Sequence, residues 1–174
     1  MKLTRTVALV GMMGAGKSSV GRRLASRLGV AFRDADSEIE AAAGCTISEI
    51  FARFGETAFR AGERKVISRL LTEAPHVMAT GGGAFVDEAT RQTLKQNAVT
   101  IWLRVPVEVL LARTQRRDTR PLLRVGDPRQ TLERLLAERT PIYAQSDHTL
   151  DSEDGPHGIT VDRIVALLRQ DGAA

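Results

Sequence analysis

Thr6-Val7-Ala8-Leu9-Val10-Gly11-Met12-Met13-Gly14-Ala15-Gly16-Lys17-Ser18-Ser19 decides how the rest of the chain is read. An apolar, β-branched run ends at Gly11, and Gly16-Lys17-Ser18 completes the spacing G-x-x-x-x-G-K-[ST]. That is the phosphate-binding loop pattern. Glycines let successive backbone N–H groups converge on one point and form a concave anion site. The helix that follows adds the partial positive charge of its N-terminus. Lys17 can reach β- and γ-phosphates, and the Ser18 hydroxyl can ligand Mg²⁺. Val20-Gly21-Arg22-Arg23-Leu24-Ala25-Ser26-Arg27-Leu28 continues as an amphipathic helix, so the loop sits in the strand–helix context that the motif requires. Gly11, Gly14, Ala15, Gly16, Lys17, Ser18 and Ser19 are therefore the candidate contacts to a nucleoside triphosphate.

The 174 residues suffice for one domain with a core of useful size. A hydrophobic fraction of 43% and a charged fraction of 26% are ordinary for a globular protein. The single cysteine, Cys45, excludes a disulfide framework and suits a reducing cytosol, so a cytoplasmic location is expected. Lys2, Arg5 and the run from Val7 to Met13 share features with a signal peptide, but the phosphate-loop reading explains the same residues in more detail. No apolar run approaches the roughly 18 residues of a membrane span. The net charge of +4 invites a nucleic-acid partner. Five arginines, however, fall in one short segment, Arg113, Arg116, Arg117, Arg120 and Arg124, with no stacking aromatics among them. Arginines so grouped in a nucleotide-binding chain more simply meet a triphosphate. No nucleic acid and no membrane partner is expected, and the protein is expected to be a monomer.

Strand and helix signals alternate along the chain. Val30 to Arg33, Val77 to Ala79, Ala98 to Leu103 and His148 to Leu150 read as strands after the first one. Gly29 closes the first helix, and a short helix is expected from Ser37 to Ala43. Thr46-Ile47-Ser48-Glu49 is a capping box that opens a helix ending at Gly55, and Glu56 to Leu71 forms another. Further helices are expected at Asp87 to Gln96 with Asp87 as N-cap, after Pro106 at a first helical position, after Asp127-Pro128, and from Thr160 to Arg169. Pro141 is expected to break or bend its helix. Such alternation predicts an α/β fold, a five-stranded parallel sheet with helices on both faces. Ligands of such sheets sit beyond the carboxyl ends of the strands, so residues 11–18, 34–36 and 81–83 should converge.

Asp34-Ala35-Asp36 offers two carboxylates at a strand end. One can hold a Mg²⁺ shell while the other orients or deprotonates a hydroxyl. Equally, Asp36 can be the N-cap of the helix that begins at Ser37. Arg60 and Glu63, three apart on a helix, would ordinarily be a solvated pair. Gly81-Gly82-Gly83 after a strand suits a backbone that approaches a ligand closely.

These segments together resemble the shikimate kinases, small ATP-dependent enzymes of aromatic amino-acid (chorismate) biosynthesis. The resemblance covers nearly the whole chain. It is carried by Gly11 to Ser18, Asp34-Ala35-Asp36, Phe59-Arg60-Ala61-Gly62-Glu63, Gly81-Gly82-Gly83-Ala84, Thr119-Arg120-Pro121-Leu122-Leu123 and Arg139-Thr140-Pro141-Ile142-Tyr143. It implies a phosphoryl transfer from ATP, with Mg²⁺ as cofactor, to the 3-hydroxyl of shikimate. Asp36, Arg60, Gly82 and Arg139 would bind shikimate, with Gly81 and Gly83 beside them and the two arginines on its carboxylate. Asp36 would also be the catalytic base, with Lys17 and Arg120 acting on the phosphates. Arg113 would lie near the adenine, Arg120 in a mobile lid, and Asp34 in the Mg²⁺ shell with Ser18. Within the single domain, residues of about 34–62 would form a substrate-binding segment and about 113–125 the lid. The chain departs from the family pattern at Ala35, where Ser or Thr is frequent. The loop after Leu150 also lacks arginines that some members carry beside the adenine.

The alternative is a kinase of another small acid, such as gluconate, or of a nucleoside monophosphate, and a sugar acid would need a carboxylate clamp too. The glycine triplet and Arg120-Pro121-Leu122-Leu123 favour the shikimate family. A GTPase switch is excluded, because the only asparagine, Asn97, precedes Ala98 and no aspartate has glycine three places on.

Overall fold

The computed structural model describes residues 2–116 and 126–174. Strands β1 (Thr6–Val10), β2 (Phe32–Asp34), β3 (Val77–Ala79), β4 (Ala98–Arg104) and β5 (His148–Asp151) form one sheet. Their order is β2-β3-β1-β4-β5, and every neighbouring pair is parallel. Side chains alternate between the two faces of a strand. All five residues of β1 and the first six of β4 are nevertheless buried, so both faces of the sheet are covered. The cover is supplied by α1 (Lys17–Leu28), α2 (Ala35–Ala43), α3 (Ile47–Leu70), α4 (Glu88–Asn97), α5 (Val107–Gln115), α6 (Pro128–Tyr143) and α7 (His157–Gln170). No helix among the described residues is long and apolar enough to cross a membrane.

Register explains how the loops meet. Leu9 of β1 and Asp34 of β2 both lie level with Ala79 of β3. The segments after these residues therefore leave the sheet at the same height and on the same edge.

Several boundaries differ from expectation for local reasons. Asp36 is not an N-cap: Asp34 takes that place, in extended conformation, and its side chain accepts from Ser37 N–H at 3.3 Å. The helix thus starts at Ala35 and carries Asp36 in its first turn. Gly55 does interrupt the helix opened by the Thr46–Glu49 capping box, as a kink inside α3 with φ 80° and ψ 177°. Pro106 is the N-cap of α5 rather than its first residue, and Pro156 plays the same part for α7, which begins at His157 and not at Thr160. Pro141 does not end α6, which continues to the buried Tyr143.

Asp87 is the N-cap of α4, as expected, and its Oδ2 accepts from the Thr90 amide at 3.0 Å. The same carboxylate also receives a two-pronged guanidinium from Arg64 of α3, at 2.7 and 2.8 Å. The Arg64 hydrogen bond holds the Asp87 carboxyl well below the usual carboxylate range. Asp87→Ala should destabilise the fold by about 1–2 kcal/mol in urea unfolding at neutral pH. A depressed folded pKa contributes stability above the unfolded pKa and loses it as pH falls. The gap between wild type and variant should therefore narrow below about pH 4.

Candidate active site

The phosphate loop leaves β1 and enters α1 through Gly16, which has left-handed φ 88° and ψ 17° and places no side-chain acceptor on the helix end. The first amides of α1 are thereby left to an anion. Lys17 is buried, and its Nζ donates to the carbonyls of Gly11 at 2.7 Å and Met12 at 2.8 Å. The ammonium is thus stationed on its own loop. Gly14, Gly16, Lys17, Ser18 and Ser19 line a cleft of about 310 Å³ together with Asp34, Asp36, Gly81 and Gly82. Gly11 and Ala15 are buried in the loop behind it.

Ser18 Oγ donates to Asp34 Oδ2 at 2.6 Å, while Asp34 Oδ1 caps α2. A hydroxyl and a carboxylate therefore stand together at the cleft. Among the described residues no group of three or more His, Cys, Asp or Glu side chains gathers to hold a metal. Two hard oxygen ligands in a cleft with room for phosphates suit Mg²⁺, which keeps waters and phosphate oxygens in its shell.

Opposite the phosphate loop, three side chains pass over three glycines. A Cβ on Gly81 would stand 2.7 Å from Asp36 Oδ1, and one on Gly83 would collide with the whole Arg60 guanidinium. A Cβ on Gly82 would lie 3.3 Å from the Met13 amide and 3.5 Å from Arg139 Nη1. None of the three glycines has a positive φ. They are needed for close approach, not for an unusual backbone.

Arg60 and Glu63 are not a solvated pair. Glu63 is 1% exposed, and Arg60 Nη1 donates to its Oε1 at 2.7 Å. Burial raises the Glu63 pKa against the opposing pull of Arg60, and the nearby charges of Asp36 and Asp87 push it further up. Arg60 is held from behind by this carboxylate and against Gly83 in front. Arg139 Nη1 donates to the Gly82 carbonyl at 3.3 Å, and Tyr143 donates its hydroxyl to the same carbonyl.

The structure thus brings together the phosphate loop, Ser18 with Asp34, and Asp36, Arg60 and Arg139 around the glycine triplet. Arg113 reaches the far end of the cleft, where its Nη1 donates to Gly14 O at 3.2 Å and Nη2 pairs with Asp154 at 3.6 Å. Arg117, Arg120 and Arg124, with Pro121-Leu122-Leu123, lie outside the described residues. Two further participants escaped the sequence reading. His157 also lines the cleft, and burial with the nearby charges of Arg23 and Arg113 lowers its pKa. Its signal was Pro156, a helix-start residue that moves the beginning of α7 back to the cleft. The other is the buried hydroxyl of Tyr143, signalled by its place one helical turn beyond Arg139.

Residues 13–169 match the family model described as shikimate kinase. A shikimate kinase of Paramagnetospirillum magneticum is 57% identical over 167 residues, which span 96% of this chain and 86% of that protein. One from Caulobacter vibrioides is 55% identical over 166 residues, spanning 95% and 83%. Among solved structures, shikimate kinase from Acinetobacter baumannii in complex with shikimate superposes with a TM-score of 0.92 at 41% identity, covering 96% of this chain and 94% of that one. A gluconokinase from Sinorhizobium meliloti reaches a TM-score of 0.60 at 17% identity, which is a likeness of fold alone. With a family model over most of its length and relatives above half identity, this chain belongs to the shikimate kinase family.

Proposed function

We propose that this protein transfers the γ-phosphoryl group of ATP to the 3-hydroxyl of shikimate, giving shikimate 3-phosphate and ADP on the way to the aromatic amino acids. The observation that carries this reading is the pair of guanidinium groups, Arg60 and Arg139, set against adjacent glycines and beside Asp36 across from a phosphate loop. Two planar forks suit a carboxylate, and an aspartate with a glycine backbone suits a polyol.

In this reading the loop amides and Lys17 hold the β- and γ-phosphates, so Lys17 moves from its carbonyl partners to the triphosphate. Ser18 and Asp34 are the residues that would hold Mg²⁺, which supplies neutralisation of phosphate charge when bound. Arg60 and Arg139 fix the acid. Asp36 accepts the hydroxyl proton as the new oxygen–phosphorus bond forms and the bond to the β-bridging oxygen breaks. Arg113 meets the nucleotide, and Arg120 is assigned to the phosphates on its sequence motif. A lid of about 113–125 that closes over them would exclude water and favour transfer over hydrolysis. We further assign the protein to the cytoplasm, as a monomer with no nucleic-acid or membrane partner.

A coupled ADP-release assay with shikimate, gluconate and AMP as acceptors tests the assignment. Turnover should depend on shikimate, with gluconate and AMP near the no-acceptor background. Equal or faster turnover of either alternative would overturn it.

A further inference from the structure

We propose that Tyr143 is a positioning residue of the carboxylate clamp, its hydroxyl holding the Gly82 carbonyl and Arg139 in the geometry that receives the acid. The proposal rests on the assignment of Arg139 to the substrate carboxylate made above.

Tyr143 is completely buried, and a buried phenol needs a hydrogen-bond partner. That partner is the Gly82 carbonyl, which also receives Arg139 Nη1 at 3.3 Å. A carbonyl oxygen has two lone pairs, so both donors can be served at once. Burial raises the phenol pKa, which keeps the donor proton in place. Around this junction the phosphate loop contributes Met12, whose Sδ lies 3.9 Å from the Tyr143 hydroxyl and 4.0 Å from Arg139 Nη1. The Trp102 ring packs on Tyr143 with centroids 5.7 Å apart.

Arg139 and Tyr143 sit one turn apart on α6 with Pro141 between them. Pro141 has no N–H to give to the carbonyl of Ala137, and its ring crowds that carbonyl. The turn that carries Arg139 thus lacks one hydrogen bond of the helical ladder. An anchor beyond the proline compensates, because Tyr143 pins the last turn to the same carbonyl that Arg139 touches. Arg139 can then keep its other N–H groups for an incoming carboxylate.

The test is calorimetry of shikimate binding, in the presence of MgADP, to wild type, Tyr143→Phe, Arg139→Lys and the double variant. Phe keeps the ring packing on Trp102 and removes only the donor. Tyr143→Phe should weaken shikimate by about three- to tenfold, the size of one lost hydrogen bond. Its MgADP affinity should stay within about twofold of wild type, and the double variant should bind shikimate no more weakly than Arg139→Lys alone, as coupled residues do. Wild-type shikimate affinity in Tyr143→Phe, beside a weakened Arg139→Lys, overturns the role of Tyr143 and leaves the clamp standing. Equal weakening of MgADP, or losses that multiply in the double variant, also overturns it. Unchanged binding in Arg139→Lys removes the clamp itself, and this inference with it.

Discussion

Asp36→Asn is expected to lower kcat by ~10²–10⁴-fold, the usual size of a lost general base. Asn keeps the shape of the side chain, and its carbonyl oxygen can still face the hydroxyl, but it takes up no proton at neutral pH. Affinity for MgATP should be nearly unchanged, because the residues assigned to the nucleotide and metal lie elsewhere in the cleft. Asp34→Asn is the contrasting variant. Its Oδ1 can still cap α2, yet the charge beside Ser18 is gone. That variant should need more Mg²⁺ for half-maximal rate while shikimate affinity holds. Steady-state kinetics with Mg²⁺ and shikimate varied independently reads both. Normal turnover in Asp36→Asn, with lost shikimate affinity in Asp34→Asn, would show the two roles to be reversed.

Lys17→Met carries the second large effect. The aliphatic stem, buried beneath the loop, has a close apolar match in Met, so packing is kept while the charge is lost. A preorganised charge directed at the transferring group contributes ~10²–10³-fold in kcat. Two loop carbonyls hold the Lys17 Nζ at 2.7 and 2.8 Å, so the ammonium waits on the phosphate loop and turns to the triphosphate when it binds. The expected result is a kcat lower by that factor, with shikimate affinity measured by calorimetry close to wild type. A rate within about threefold of wild type would remove Lys17 from the transition state.

The sheet could be read from the chain because its signals are local. β-branched runs end in glycine or aspartate, and helices open on Asp87, Thr46 or Asp127 caps. The phosphate loop could be read for the same reason, since one helix start contains it. Boundaries slipped where two residues competed for one place. Asp34 and Asp36 both precede a helical turn, and only the extended backbone at the end of β2 decides for Asp34. Burial was harder still. A spacing of three on one helix describes Arg60 and Glu63 equally well as a surface pair or as a buried one. What decides is the packing that buries Glu63 and sets the Arg60 guanidinium over Gly83, which follows in a later loop of the chain. Tyr143 is marked only by its place one turn beyond Arg139, and its acceptor, the Gly82 carbonyl on another loop, is a backbone group that its residue type does not reveal.

The glycine triplet limits how this chain can vary. At positions 81 and 83 the space for a side chain is already filled, by Asp36 and Arg60 respectively. A larger residue at 83 displaces the Arg60 guanidinium from its place, and one at 81 does the same to the Asp36 carboxylate. Positions far apart in the chain are thereby tied into pairs, since a side chain at the glycine moves the functional end of its partner. A single substitution at either glycine therefore disturbs Asp36 or Arg60 as well. An engineer seeking a new acid specificity should therefore draw libraries over both members of each pair at once.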